Sequence, residues 1–143
     1  MANTRLSDLL QILVYLKVHN GEKITSQRLA SSLNTNPSLV RSMLVQLRSA
    51  GLLESIKGKP HLAKDLNKVT VYDVYEAIDP TKNLLQVDDN TSQVCSVGVA
   101  FPEVLEKYYQ EVQRIAAEKM KEVTVQQLVD ETNESIMLHQ KFK

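Results

Sequence analysis

A mainly α-helical fold with one small β-hairpin is predicted by three features of the 143-residue sequence. Apolar residues recur at i, i+3, i+4 and i+7 through much of the first 80 positions and again after Pro102. Residues 24–51, ITSQRLASSLNTNPSLVRSMLVQLRSAG, read as two short helices joined by a tight turn. Directly after them, two short runs suited to strands flank Lys57-Gly58-Lys59-Pro60, which has the composition of a turn.

Taken in order, residues 5–18 place Leu6, Leu9, Leu10, Leu13 and Leu16 around much of a helix, as a central core helix requires, and Asn20-Gly21 stops it. Thr25 or Ser26 opens the next helix, because a hydroxyl there accepts from unpaired N–H groups of the first turn. Leu29, Ala30 and Leu33 form its buried side, and Asn34, tolerant of left-handed backbone, ends it. Asn36 caps the third helix, with Pro37 at the first helical position, where a missing N–H is harmless and a fixed φ helps. Val40, Met43, Leu44 and Leu47 make its core stripe, and Gly51 is the stop. Its opposite face carries Ser38, Arg41, Ser42, Arg48 and Ser49. A strand at 52–56, the turn and a return strand at 61–64 follow. Three helices and a basic hairpin describe a winged helix-turn-helix.

Thr70 is placed to cap a helix whose inward positions are Val71, Val74, Tyr75 and Ile78, ending at Asp79-Pro80. Residues 81–101 show no sustained helical period and contain Asp88-Asp89-Asn90-Thr91-Ser92, so they read as a loop. Pro102 begins the longest helix, in which Leu105, Tyr108, Val112 and Ile115 alternate steps of three and four, widened by Val104, Tyr109, Ala116 and Met120. A helix of about 20 residues spans roughly 30 Å, more than one small domain needs, and the excess predicts a partner helix and hence a homodimer. Thr124 and Gln127 form a capping box opening a short last helix with Val125, Leu128 and Val129 inward. From Asp130 the chain is polar, with scattered Ile136, Met137, Leu138 and Phe142. The expected organisation is a winged helix-turn-helix domain over 1–80, a loop over 81–101, a dimerisation helix and short packing helix over 102–129, and a polar tail over 130–143.

Charge divides the chain unevenly, although the total is zero. Residues 1–64 hold nine Lys or Arg against three acids, and residues 65–143 hold eight against fourteen. The first half can hold phosphates; the second would be repelled by them. In a helix-turn-helix the second helix enters the major groove with its N-terminal residues against base edges. Ser38, Arg41 and Ser42 occupy that place, Arg41 with a guanidinium able to donate twice to guanine. Lysines 57, 59 and 64 lie where a wing approaches the backbone or minor groove. The residues therefore point to sequence-specific binding of double-stranded DNA. The alternative is a winged-helix protein-interaction module whose basic face does not read DNA.

Other classes find little support. No apolar run approaches the roughly 20 residues that span a bilayer, and MANTRLSDLL lacks the layout of a signal peptide, so a cytoplasmic location is expected. His19, His61 and His139 have no metal-ligand spacing with one another or with Cys95. The four glycines are scattered and form no phosphate-cradling loop. No catalytic constellation is evident, and no enzyme is expected. Cys95, the single cysteine, permits two readings: a small apolar filler between Val94 and Val97, or an accessible thiol acting as a redox switch.

The string NPSLVRSMLVQLRSAGLLESIKGK, with the later LAKDLNKVTVYDVYEAID, resembles the Rrf2 family of bacterial winged-helix transcription regulators, over about residues 5–129. That family includes the iron-sulfur cluster regulator and the cysteine-metabolism repressor. The resemblance implies a homodimer on a partly palindromic operator, usually as a repressor, with the long helix crossing its mate. It implies DNA contacts at Ser38, Arg41 and Ser42, at Ser26, Gln27 and Arg28 in the supporting helix, and at Lys57 and Lys59 in the wing. Family wings commonly carry a run of glycines after the basic-Gly pair, whereas Lys59-Pro60-His61 is shorter and stiffer. Cluster-binding members carry three cysteines before the long helix, and this chain has only Cys95 there. It therefore resembles the cluster-free, YwnA-like branch, with no iron-sulfur cofactor, and any effector would be a small molecule or partner protein.

Overall fold

The winged helix-turn-helix expected from the sequence is present in the computed structural model, which describes residues 4–78 and 83–141. Asp79-Pro80, the expected stop of the fourth helix, and Phe142 of the tail lie outside the described residues. Helix α1 (Arg5–Val18) is followed by α2 (Ser26–Leu33), α3 (Pro37–Ser49), the hairpin strands β1 (Leu53–Ile56) and β2 (Lys59–Leu62), and α4 (Val71–Glu76). A 3-10 turn, Leu66–Lys68, precedes α4. Helices α5 (Ser96–Glu122) and α6 (Val125–Lys141) complete the chain.

Local chemistry sets the corner between α2 and α3. The Thr25 hydroxyl accepts from the Arg28 N–H and starts α2, and Asn34 at φ 53° ends it in the left-handed region. Thr35 N–H then donates back to the Ala30 carbonyl at 2.9 Å, closing the helix end. Two residues later the Asn36 side chain accepts from Leu39 N–H at 2.8 Å, with Pro37 at the first helical position. Losing such a cap costs about 1 kcal/mol. One stop and one start within three residues hold α2 and α3 at a fixed angle.

The core lies between α1, α2, α3 and the base of the hairpin, and Leu9, Ile12, Leu13, Val40, Met43 and Leu47 are fully enclosed in it. It also draws on the far end of the chain. Val125 and Val129 of α6 are buried in the same cluster, each contributing on the order of 1.5 kcal/mol or more. Backbone pairing holds them there: Val71 N–H donates to the Val123 carbonyl at 2.9 Å and Val125 N–H to the Val69 carbonyl at 2.8 Å. The inward positions Val125 and Val129 expected of the last helix are thus met, and the core they enter is that of the winged helix.

Three expectations change. The segment 81–101 is not loop throughout: α5 starts at Ser96, and Pro102 lies inside it rather than at its start. Proline lacks the N–H that would bond the carbonyl four residues back. That carbonyl, of Gly98, instead accepts from the Thr91 hydroxyl at 2.6 Å. The Ser92 hydroxyl takes the N–H groups of Val94 and Cys95, leading the chain into the first turn. Glycine is required at 98, since a Cβ there would stand 2.7 Å from the Ser92 carbonyl oxygen. The last helix is not short either, because α6 runs 17 residues to Lys141, through most of the segment read as a polar tail. Its Thr124–Gln127 capping box forms as expected, with N–H···O contacts of 2.8 and 3.1 Å. Lastly, the hairpin turn is two residues, not four. Lys57 and Gly58 both have positive φ, 52° and 76°, the condition for a hairpin turn whose twist matches its strands. Lys59 and Pro60 therefore belong to β2, paired with Ile56 and Ser55.

A candidate nucleic-acid interface

Helix α3 buries Val40, Met43, Leu44 and Leu47 and so turns Ser38, Arg41, Ser42 and Arg48 to solvent. These four share one side because their spacings are close to whole helical turns. The Ser42 hydroxyl donates to the Leu39 carbonyl of its own helix at 2.7 Å, which leaves its oxygen to accept. Beside this face the hairpin stands up and encloses a concavity of about 340 Å³, lined by Ser26 of α2, Arg41, Val45 and Arg48 of α3, and Lys59 and Pro60 of β2. The fold thus gathers Ser26, Arg41, Arg48 and Lys59, from three elements, around one hollow. Ser38 and Ser42 stay on the open face of α3, Gln27 is exposed on α2, and Lys57 is exposed at the hairpin tip. Val45, 50% exposed, was not anticipated as part of this face. It is one helical turn from Arg41 and one from Arg48, falls off the core stripe, and offers an apolar contact such as a thymine methyl accepts.

Arg28 is differently placed from the other predicted contacts. Its Nε donates to the Tyr15 hydroxyl at 3.1 Å, Nη1 to the Lys23 carbonyl at 3.0 Å and Nη2 to Glu22 Oε1 at 3.1 Å. The Tyr15 bond first, and Glu22 second, raise its already high pKa. Glu22 is in turn held below the usual carboxylate range, by the His19 hydrogen bond first and Arg28 second.

Cys95 precedes the first turn of α5, exposed to solvent beside Val94, itself 95% exposed. The reading of Cys95 as a buried apolar filler is therefore corrected. Backbone N–H groups of Gly98 and then Val97 lower its pKa, because they stabilise the thiolate. The thiolate is the reacting species, so a lowered pKa keeps Cys95 reactive at a lower pH than an ordinary cysteine. Labelling of the native protein with a thiol reagent should be stoichiometric and rapid, its rate climbing below the pH at which a free cysteine peptide responds. Slow labelling that follows the peptide's pH profile would contradict this.

No residue of α5 is buried. On one side Gln113 donates to the Tyr75 hydroxyl at 3.1 Å and accepts from Leu84 N–H at 2.7 Å, tying α5 to α4 and to the segment before it. On the other, Tyr108, Val112 and Ile115 are exposed, 68%, 46% and 54%, in line with exposed Val97, Phe101 and Val104. The stripe is thus longer than the sequence led us to expect, by the turns before Pro102. Leu105 is half-buried at the boundary between the two sides. Among the described residues no helix is long and apolar enough to cross a membrane.

A family model described as Rrf2, iron-dependent transcriptional regulator, matches residues 2–131. The chain belongs to the Rrf2 family. It is 33% identical over 130 residues to YwnA of Bacillus subtilis (strain 168), named as an HTH-type transcriptional regulator, covering 86% of this chain and 96% of YwnA. A crystal structure described as a DNA-binding protein superposes with a TM-score of 0.69 at 28% identity, covering 87% of this chain and 97% of that one. CymR, the global cysteine regulator of B. subtilis, shares the fold with a TM-score of 0.66 at 19% identity, covering 91% and 96%. The Rrf2 relatives are transcriptional regulators and not enzymes, and this chain is a regulator of that family. The iron in the family description does not fit the donors here. An iron-sulfur cluster takes about four protein ligands, mostly thiolates, and the chain has one cysteine. Among the described residues, no three of His, Cys, Asp or Glu stand together as a metal site.

Proposed function

We propose that this Rrf2 protein represses transcription by binding a partly palindromic operator as a homodimer, with α3 in the major groove and the hairpin against the neighbouring backbone. The observation that carries the reading is the hollow between α3 and β2. It collects two guanidinium groups, one ammonium and the hydroxyls of Thr25 and Ser26, with no Asp or Glu in its lining among the described residues. Arg41 and Ser38, near the capped start of α3, take the base edges; Ser42 accepts; Arg48, Lys57 and Lys59 hold phosphates, with Ser26 and Gln27 at the backbone crossed by α2. The two-residue turn keeps the hairpin short, which favours contact with phosphates over deep entry into the minor groove. The exposed stripe of α5 supplies the dimer contact, and exposed Cys95 beside it is a redox handle on that interface.

A gel shift with the DNA upstream of the protein's own gene, against excess nonspecific competitor, tests the reading, and repression requires that transcription from the retained fragment fall when protein is added. Retention of no fragment at all would return the protein-interaction alternative. Lys59→Ala should weaken binding to all sequences alike and lower the slope of log affinity against log salt by about one. A sequence-dependent loss would instead make Lys59 a base contact.

A further inference from the structure

We propose that Arg28 is a positioning residue of the DNA-binding face, aiming α2 through Tyr15 and Glu22, and does not itself neutralise a phosphate. The inference rests on the DNA-binding reading above.

An arginine carries five N–H donors in a rigid planar fork and serves a phosphate best by presenting two of them together. Here three of those five donors are already engaged by the chain itself, Nε by the Tyr15 hydroxyl, Nη1 by the Lys23 carbonyl and Nη2 by Glu22. The guanidinium carbon also stands 5.6 Å from the centre of the Tyr15 ring. The network closes on itself: Glu22 accepts from or pairs with His19 Nδ1 at 2.8 Å, and the His19 and Tyr15 rings lie 4.3 Å apart. Four side chains from the end of α1, the link and the first turn of α2 thus form a ring. Turning Arg28 toward DNA would break three hydrogen bonds, one of them an ion pair, to make one contact. Glu22 also offsets its charge locally, reducing its draw on an anion.

Geometry explains what the ring does for binding. Arg28 is in the first turn of α2, as are Ser26 and Gln27, and Ser26 lines the hollow across from Arg41. The Thr25 cap fixes where α2 begins, since it accepts from the Arg28 N–H. The ring fixes the angle of that first turn against α1, and with it the approach of Ser26 and Gln27 to the backbone that α2 crosses.

The probe is a duplex selected by the wild-type protein from a random pool. Its affinity is measured over a salt series for wild type, Arg28→Gln, Arg28→Lys, Tyr15→Phe and the Tyr15→Phe/Arg28→Gln pair. All are held well below their melting temperatures, so that a general loss of stability does not alter the result. Arg28→Gln should weaken binding by about tenfold, the size of one charge-assisted hydrogen bond, with the salt slope unchanged. Tyr15→Phe should weaken it in the same direction although it touches no charge, and the pair should lose less than the two single losses multiplied. Arg28→Lys should fail to rescue, because one ammonium cannot bridge three acceptors. A salt slope lowered by about one in Arg28→Gln, with rescue by lysine and no effect of Tyr15→Phe, would make Arg28 a phosphate contact. Unchanged affinity in every folded variant would reduce the ring to a stability element. Both overturn the inference and leave the DNA-binding reading standing, whereas a wild type that selects no duplex sinks that reading itself.

Discussion

Val112→Glu is expected to convert the protein into a monomer and to lower its affinity for a two-half-site operator by roughly 10²–10⁴-fold. Val112 lies within an exposed stripe that runs from Val97 through Phe101, Val104 and Tyr108 to Ile115. An uninterrupted apolar surface of this length on a polar-rimmed helix marks an interface, and none of it is used by the protein's own core. A carboxylate at its middle must be desolvated against apolar neighbours, which opposes association without touching the winged helix. The loss on DNA follows from linkage: once one half-site is bound, a dimer presents the second recognition helix at high effective concentration, and a monomer does not. Sedimentation and operator titration of the same samples check both parts. Wild type sedimenting as a monomer at micromolar concentration would refute the dimer, and a dimeric Val112→Glu would place the interface elsewhere.

The second large effect is expected at Arg41. Arg41→Ala should cost about 1–3 kcal/mol on the selected operator and relax preference at one base pair. Arg41 is exposed one turn into α3 and, unlike Arg28, makes no hydrogen bond or ion pair with the protein among the described residues. Its fork is thus free to meet a guanine edge at full strength. Selection from a random pool with the variant should give the same site with one position degenerate. An unchanged ratio of specific to nonspecific affinity would exclude the role.

Much of this architecture was legible before any coordinates, wherever a short-range chemical signal decided the structure. Thr25, Asn34, Asn36-Pro37 and Thr70 each set a helix end through their own side chains or backbone preferences, and all lie where expected. The misreadings share a cause, which is that a distant or noncovalent partner overrode local preference. SVGVAFP contains glycine, proline and two β-branched valines, poor material for a helix, yet Thr91 and Ser92 satisfy the groups that proline and the helix start leave open. The hydrogen bonds of Arg28 could not be foreseen either, because helical periodicity says which side a residue faces and not which donor finds an acceptor first. Val45 was missed for a simpler reason: an apolar residue beside a core stripe is taken for core unless its angle is checked.

The pairing of Val69 and Val71 with Val123 and Val125 also bears on how the protein is made. Core that serves the DNA-binding half is delivered by residues encoded after the whole of α5. During synthesis the winged helix cannot seal its last face until α5 has emerged, and closing that contact encloses more than 50 residues, which is slow relative to local helix formation. The order of the chain therefore acts as a quality check in time: a truncated product ending within α5 lacks Val125 and Val129, leaves apolar core open to water, and is a substrate for proteolysis before it can engage DNA.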